Sequence, residues 1–164
     1  MLGRLLRHLC WPEWRVRRHL PRAALDDIGR AITTTEREHR GELRLVIENA
    51  LDPVAIAAGL GARERALQVF AQLRIWDTED NCGVLVYLLF AEHAVEIVAD
   101  RGIAKRVPQA DWDAICAEVR AACQSGRYRD GALCAVERVS GLLRRHFPVV
   151  GARSNELPDQ PVLL

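Results

Sequence analysis

Nine consecutive small or apolar residues, Gly83 to Ala91 (GVLVYLLFA), constrain the fold of this chain more than any other stretch. The run is far shorter than the roughly 20 residues needed to span a bilayer. Its β-branched and aromatic content reads instead as a central strand covered by protein on both faces. After Glu92 and His93 a second run, Ala94 to Ala99, resumes with Val95 and Ile97 in phase, and two residues between such runs predict a hairpin.

The other elements are arranged around that strand. Pro21 can start a helix that carries Leu25, Ile28, Ile32 and Thr35 on one face and runs to about Arg40, where Gly41 interrupts it. Leu43, Leu45 and Ile47 then alternate with Glu42, Arg44 and Glu48, the period of a half-buried strand. A loop containing Pro53, Gly59 and Gly61 leads to a helix with Ala66, Val69, Phe70 and Leu73 as its buried stripe. Downstream, Trp112, Ile115, Val119 and Ala122 share one helical face, and Leu133, Val136, Ser140 and Leu143 share another, with Gly126 between them. The order α-β-α-β-β-α-α predicts an α/β fold: a small mixed sheet with one parallel crossover and one hairpin, sandwiched by helices on both faces. Residues 1–20 form a basic N-terminal arm, 21–148 the domain, and 149–164 an extended C-terminal tail with no periodicity.

A chain of 164 residues, 49% hydrophobic, can bury one core without disulfides or metals. Its five cysteines (Cys10, Cys82, Cys116, Cys123, Cys134) include no CxxC pair and are read as reduced thiols, mostly core filler. The start lacks the uninterrupted apolar core of a signal peptide, so a cytoplasmic location is expected.

The formal net charge of +1, from 23 basic and 22 acidic residues, hides an asymmetry. Residues 1–22 carry six Arg and one Glu (+5), leaving 17 basic against 21 acidic residues elsewhere (−4). In the arm, Leu2, Leu5, Leu6 and Leu9 lie at helical spacing beside Arg4, Arg7 and His8, with Trp11 and Trp14 following. That pattern is compatible with peripheral contact to an anionic membrane surface through residues 1–20. The preferred expectation is plainer: the Leu/Trp stripe packs back on the domain and the arginines face water. Nucleic acid is not expected as a partner, because the acidic body repels phosphate and no basic-aromatic motif is interleaved.

Strand order predicts where polar residues meet. If the strand from Gly83 runs away from WDTEDN (Trp76 to Asn81) and the next strand returns, Asp100-Arg101-Gly102 ends at the same edge. The first strand also begins there, which brings in EREHRGE (Glu36 to Glu42). His39, Glu42, Asp77, Glu79, Asp80, Asn81, Asp100 and Arg101 can then share one pole. Hard oxygen donors of this kind suit Ca2+ or Mg2+, with Asp77, Asp80, Asn81 and Asp100 as candidate ligands. Arg101 can hold a phosphate or other anion through two hydrogen bonds. His39, Glu42 and Glu79 are secondary candidates. The spacing is not that of an EF-hand. The structural alternative is that Asp77, Asp80 and Asn81 make turn bonds, Asp100 pairs with an arginine, and Glu36 pairs with Arg40.

The opposite pole holds Asn49, Asp52, Glu92 and His93, where open α/β sheets commonly bind ligands. Gly59 and Gly61 match neither phosphate-loop spacing, so no nucleotide cofactor is expected. Ser125, Ser140 and Ser154 sit in no GxSxG elbow, no Cys is visibly paired with a His, and neither a DxD after a strand nor a CxxxxxR loop is present.

The segments EREHRGELRLVIE, RERALQVFAQLRIWDTEDNCGVLVYLLFAEHAVEIVADRGI, DWDAIC and GRYRDGAL together resemble the TPM domain family, from about Leu20 to Phe147. Within it the chain looks like the short cytoplasmic bacterial form. The resemblance implies a mixed sheet between helices. It also implies the range of roles attached to the family: photosystem II repair in the thylakoid lumen, with one member described as an acid phosphatase, modulation of acetylcholine receptors, and calcium binding by some bacterial relatives. No phosphatase residue set carries over to positions here, whereas the strand-edge acids Asp77, Asp80 and Asp100 are present for a metal. The partners it implies are a membrane-associated helical protein of the LemA type or a membrane-anchored TPM relative. The expected function is a non-enzymatic accessory or partner-binding domain with a divalent-cation site. A metal-assisted phosphatase and a purely structural interaction module stay open as alternatives.

Overall fold

The computed structural model describes residues 2–12, 14–149 and 155–164. Ser154, singled out above, lies outside the described residues. Two helices, α1 (Leu2–Leu9) and α2 (Trp14–His19), precede α3 (Arg22–Glu36) and the first strand, β1 (Glu42–Glu48). Helices α4 (Pro53–Ala57) and α5 (Ala62–Gln72) lead to β2 (Gly83–Leu89), a 3-10 turn (Phe90–Glu92) and β3 (Ala94–Ala99). The short α6 (Arg101–Ala104), α7 (Gln109–Gln124), α8 (Tyr128–His146) and β4 (Val162–Leu163) follow.

The sheet runs β3-β2-β1-β4, with β1 parallel to both β2 and β4 and β3 antiparallel to β2. Leu43, Leu45 and Ile47 of β1 and Val84, Val86 and Leu88 of β2 pack against α3, α7 and α8. On the other face Val46, Leu85, Tyr87 and Leu89 meet Ala66 and Val69 of α5. Every residue of β2 is buried, as an uninterrupted apolar strand between two helical layers must be.

Several boundaries differ from the expectations, each for a local reason. Helix α3 stops at Glu36 rather than near Arg40 because residues 39 and 40 turn to pair with the end of α8. His39 bridges Pro148, and the Arg40 N–H reaches the Phe147 carbonyl at 2.8 Å. The hairpin is not a two-residue turn: β2 ends at Leu89, Phe90 to Glu92 coil into a 3-10 turn, and His93 closes it in the left-handed region (φ 48°). Cys82 and Cys123 are core residues, but Cys116 and Cys134 are half-buried and Cys10 is exposed.

Strand β1 is not half-buried; all seven of its residues are buried. Glu42, Arg44 and Glu48 share the face of Val46, and each has a partner from the covering layer. Glu42 accepts from the backbone N–H groups of Glu156 (3.3 Å) and Leu157 (3.2 Å). Arg44 donates to the Gln160 carbonyl at 3.3 Å, and Glu48 is held by Arg65 and Tyr87. Residues 156–164 thus lie extended against the body: they cover the polar face of β1 and add β4 through bonds such as Leu164 N–H to Ile47 O at 2.9 Å.

The arm meets the preferred expectation only in part. Leu5 and Trp11 pack inward and Arg7, Arg15, Arg17 and Arg18 are exposed, but Leu2, Leu6, Leu9 and Trp14 are exposed too, while Arg4 and His8 point at the body.

Candidate functional site at the amino edge of the sheet

The register aligns Glu42 with Gly83 and Val84 with Ala99, so the starts of β1 and β2 and the end of β3 lie at one edge. Two glycines permit a close approach there. A Cβ on Gly83 would sit 1.9 Å from the Ile75 carbonyl oxygen. One on Gly102 would sit 2.4 Å from the carbonyl oxygen of Asn81 and 2.6 Å from that of Asp80. The loop between α5 and β2 is thus pressed against the start of α6, tied by the Gly102 N–H to Asn81 O at 2.8 Å. Asn81 takes a left-handed conformation (φ 52°) that asparagine tolerates well.

The three polar segments meet as strand order predicts, but their side chains are used in several ways. Asp80 pairs with Arg40 at 3.0 Å, and Arg101 donates through Nε to Asn81 Oδ1 at 3.0 Å. Asp77 and Glu79 are exposed, and the Glu79 N–H reaches the Glu156 carboxylate at 3.3 Å. His39 is fully buried with Nδ1 3.0 Å from Gly41 O. The Glu36 carboxylate accepts the Leu43 N–H at 2.8 Å. Asp100, only 8% exposed, caps α6: Oδ1 accepts the Arg101 N–H at 2.7 Å. Its Oδ2 is buried and has no hydrogen-bond partner among the described residues.

Among the described residues no three His, Cys, Asp or Glu side chains gather closely enough to share a metal ion. The Asp100 carboxylate and the backbone carbonyls of Asp80 and Asn81 lie on the segments that meet at this edge.

The carboxyl edge is covered by α1. Glu92 accepts from Arg4 Nε at 2.5 Å and lies 2.8 Å from His8 Nε2. His8 Nδ1 accepts the Leu51 N–H at 2.9 Å, which assigns the ring proton to Nε2, facing Glu92. Burial works against the Glu92 anion, yet the hydrogen bonds from His8 and Arg4 hold its carboxyl below the usual range. Asp52 caps α4 through the Val54 N–H at 2.8 Å. His93 lies 2.9 Å from the Tyr128 hydroxyl, and burial, with Arg7, His19 and Arg15 adding to it, pushes its imidazole down. A cavity of about 200 Å³ opens beside Asn49, lined by Val16, Arg17, Ile47, Leu163 and Leu164.

Two polar clusters escaped the sequence reading: Arg4-His8-Glu92 and Arg65-Glu48-Tyr87. The second carried a signal, since three charged residues at alternate positions of a strand flanked by apolar ones require a polar covering layer. The first carried none. Burial pushes the thiols of Cys116 and Cys123 up to about 11, away from thiolate chemistry.

A four-stranded mixed sheet between two helical layers, with polar loops meeting at its amino edge, defines a small α/β domain of the sandwich class. The chain belongs to the TPM domain family, whose profile matches residues 18–142. Among solved structures it is similar to the NMR structure of the BA42 protein from the psychrophilic bacterium Bizionia argentinensis. That match has a TM-score of 0.78 at 24% identity and covers 88% of this chain and 94% of the other, a likeness of fold. No curated protein matches the chain. Among the described residues no helix is long and apolar enough to cross a membrane.

Proposed function

We propose that this chain is a non-enzymatic accessory domain that acts by binding, with a divalent cation held at the edge shared by WDTEDN and DRG. The observation that carries the reading is Asp100 Oδ2, a buried carboxylate oxygen without a partner among the described residues, at the edge where the Asp80 and Asn81 carbonyls approach Gly102. A buried carboxylate oxygen left unmatched is costly, and a hard cation is the ligand that would satisfy it. Calcium suits the set better than magnesium, because it accepts carbonyls in irregular geometry, whereas magnesium demands a near-ideal octahedron. The reading includes a cytoplasmic location and a membrane-associated partner of the LemA type or a membrane-anchored TPM relative.

Calorimetric titration of the chelator-stripped protein with calcium and magnesium tests the cation. Saturable binding that Asp100→Asn abolishes supports the reading. No binding by the wild type removes the cation and leaves a structural interaction module. Magnesium-dependent turnover of a generic phosphomonoester would replace the reading with a metal-assisted phosphatase.

A further inference from the structure

Helix α1 is mounted with its polar side inward. Arg4 and His8, one turn apart, bind Glu92, and Arg4 also donates to the Leu60 carbonyl at 2.7 Å, while His8 is 4% exposed. These contacts fix the rotation of the helix about its axis. Leu2, Leu6 and Leu9, at i, i+4 and i+7, are consequently held outward at 72%, 52% and 60% exposure. An amphipathic helix that packed for its own burial would turn the other way. The neighbouring helices also expose apolar residues. Val54 of the adjoining α4 is 77% exposed and Trp14 of α2 is 55% exposed. Arg17 lines the same cavity as the half-exposed Leu163 and Leu164.

The exposed charge described on α1 and α2 is basic. Arg7, Arg15, Arg17 and Arg18 are all exposed, and Arg15 lies 4.8 Å from the Trp11 ring and 5.9 Å from that of Trp14. The acids nearest in sequence are Glu13, outside the described residues, and Asp26 and Asp27, of which Asp27 is engaged by Arg30 and Arg129; Asp52, exposed, caps α4. Exposed leucines and a tryptophan on helices that also expose arginines match a surface that is apolar below and anionic above, which is the chemistry of an anionic lipid bilayer. We infer that α1 and α2 form a preformed docking face for anionic lipid, seating the three leucines and Trp14 among the acyl chains and the arginines against the headgroups. The inference is independent of the cation reading, because the two features lie at opposite edges of the sheet.

Co-sedimentation of the full chain with vesicles tests it, comparing phosphatidylcholine alone with a phosphatidylcholine–phosphatidylserine mixture. The expected result is binding to the mixed vesicles only, weakened about tenfold or more by Leu6→Ser/Leu9→Ser and by Arg17→Glu/Arg18→Glu. These positions are exposed, so the variants should keep the thermal unfolding profile of the wild type. No binding to mixed vesicles at low salt overturns the inference. So does binding that neither variant weakens. A concentration-dependent dimer dissolved by the leucine variant, without lipid binding, overturns it in favour of a second copy of the chain as the occupant.

Discussion

Tyr87 donates its phenolic hydrogen to Oε2 of Glu48 across 2.6 Å, beneath α5 and out of reach of water. From α5, Arg65 grips the same carboxylate, with Nε 2.9 Å from Oε2 and Nη2 3.0 Å from Oε1. Burial first, and the bond to Glu48 second, push the Tyr87 hydroxyl far up, so it remains a donor over the whole physiological range. Removing a donor and removing the shared acceptor should then have unequal costs. Tyr87→Phe leaves Glu48 with Arg65 and should cost about 1–2 kcal/mol. Glu48→Ala strands a buried hydroxyl and a guanidinium and should cost about 3–4 kcal/mol. Urea unfolding midpoints at constant m-value measure both. Equal losses would show that the Tyr87 bond carries the interaction and that Arg65 adds nothing.

Gly83 and Gly102 clamp the loop between α5 and β2 by letting backbone pass against backbone. A methyl at Gly83 would lie 1.9 Å from the Ile75 oxygen, and a carbonyl cannot swing aside as a flexible side chain can. Gly83→Ala and Gly102→Ala should each destabilise the fold by about 2–3 kcal/mol. Gly3→Ala, with nothing within 4 Å, should be tolerated or slightly stabilising. Thermal unfolding of the three variants separates the cases.

Docking of α1 should weaken in acid. The Glu92 carboxyl is depressed in the folded state, so its contribution is present above its unfolded pKa and is lost as pH falls through the lower folded value. Arg4 and His8 are the charged and titratable groups that face it. Trp11 packs edge-on against His93, 5.6 Å between ring centroids, and reports the arm's position. Its fluorescence should change on acidification below about pH 4 to 5. Glu92→Gln should abolish that step and loosen the arm at neutral pH, and an unaltered acid transition in the variant would assign the step elsewhere.

Ending the chain before Asn155 removes β4 and the N–H groups of Glu156 and Leu157 that face the buried Glu42 carboxylate. It also bares an edge of β1. The truncated chain should lose about 2–4 kcal/mol and associate through that edge, which denaturation and light scattering would reveal. A chain that stayed monomeric at full stability would show these contacts to be dispensable.

The double coverage of β2 was legible in the sequence, because seven consecutive apolar residues in extended chain leave no face for water. The meeting of three polar segments at the amino edge followed from strand order alone, and the helical stripes at Ile115 and Val136 from apolar periodicity. Periodicity reports which residues alternate, but not what lies over the polar set. Glu42, Arg44 and Glu48 read as a solvated face until residues 156, 157 and 160 and Arg65 of α5 cover them. The two-residue β4 has no period to detect, since its pairing is made by backbone groups that any residue supplies. The same limit governs the arm: its spacing showed an amphipathic helix, but which side turns inward was decided by Glu92 and Leu51, more than forty residues away. Sequence by itself determined the layers and the edge where the polar loops gather; tertiary structure decided the partners of the buried charges and the rotation of α1, because those depend on contacts between distant segments that form only once the chain has closed around its sheet.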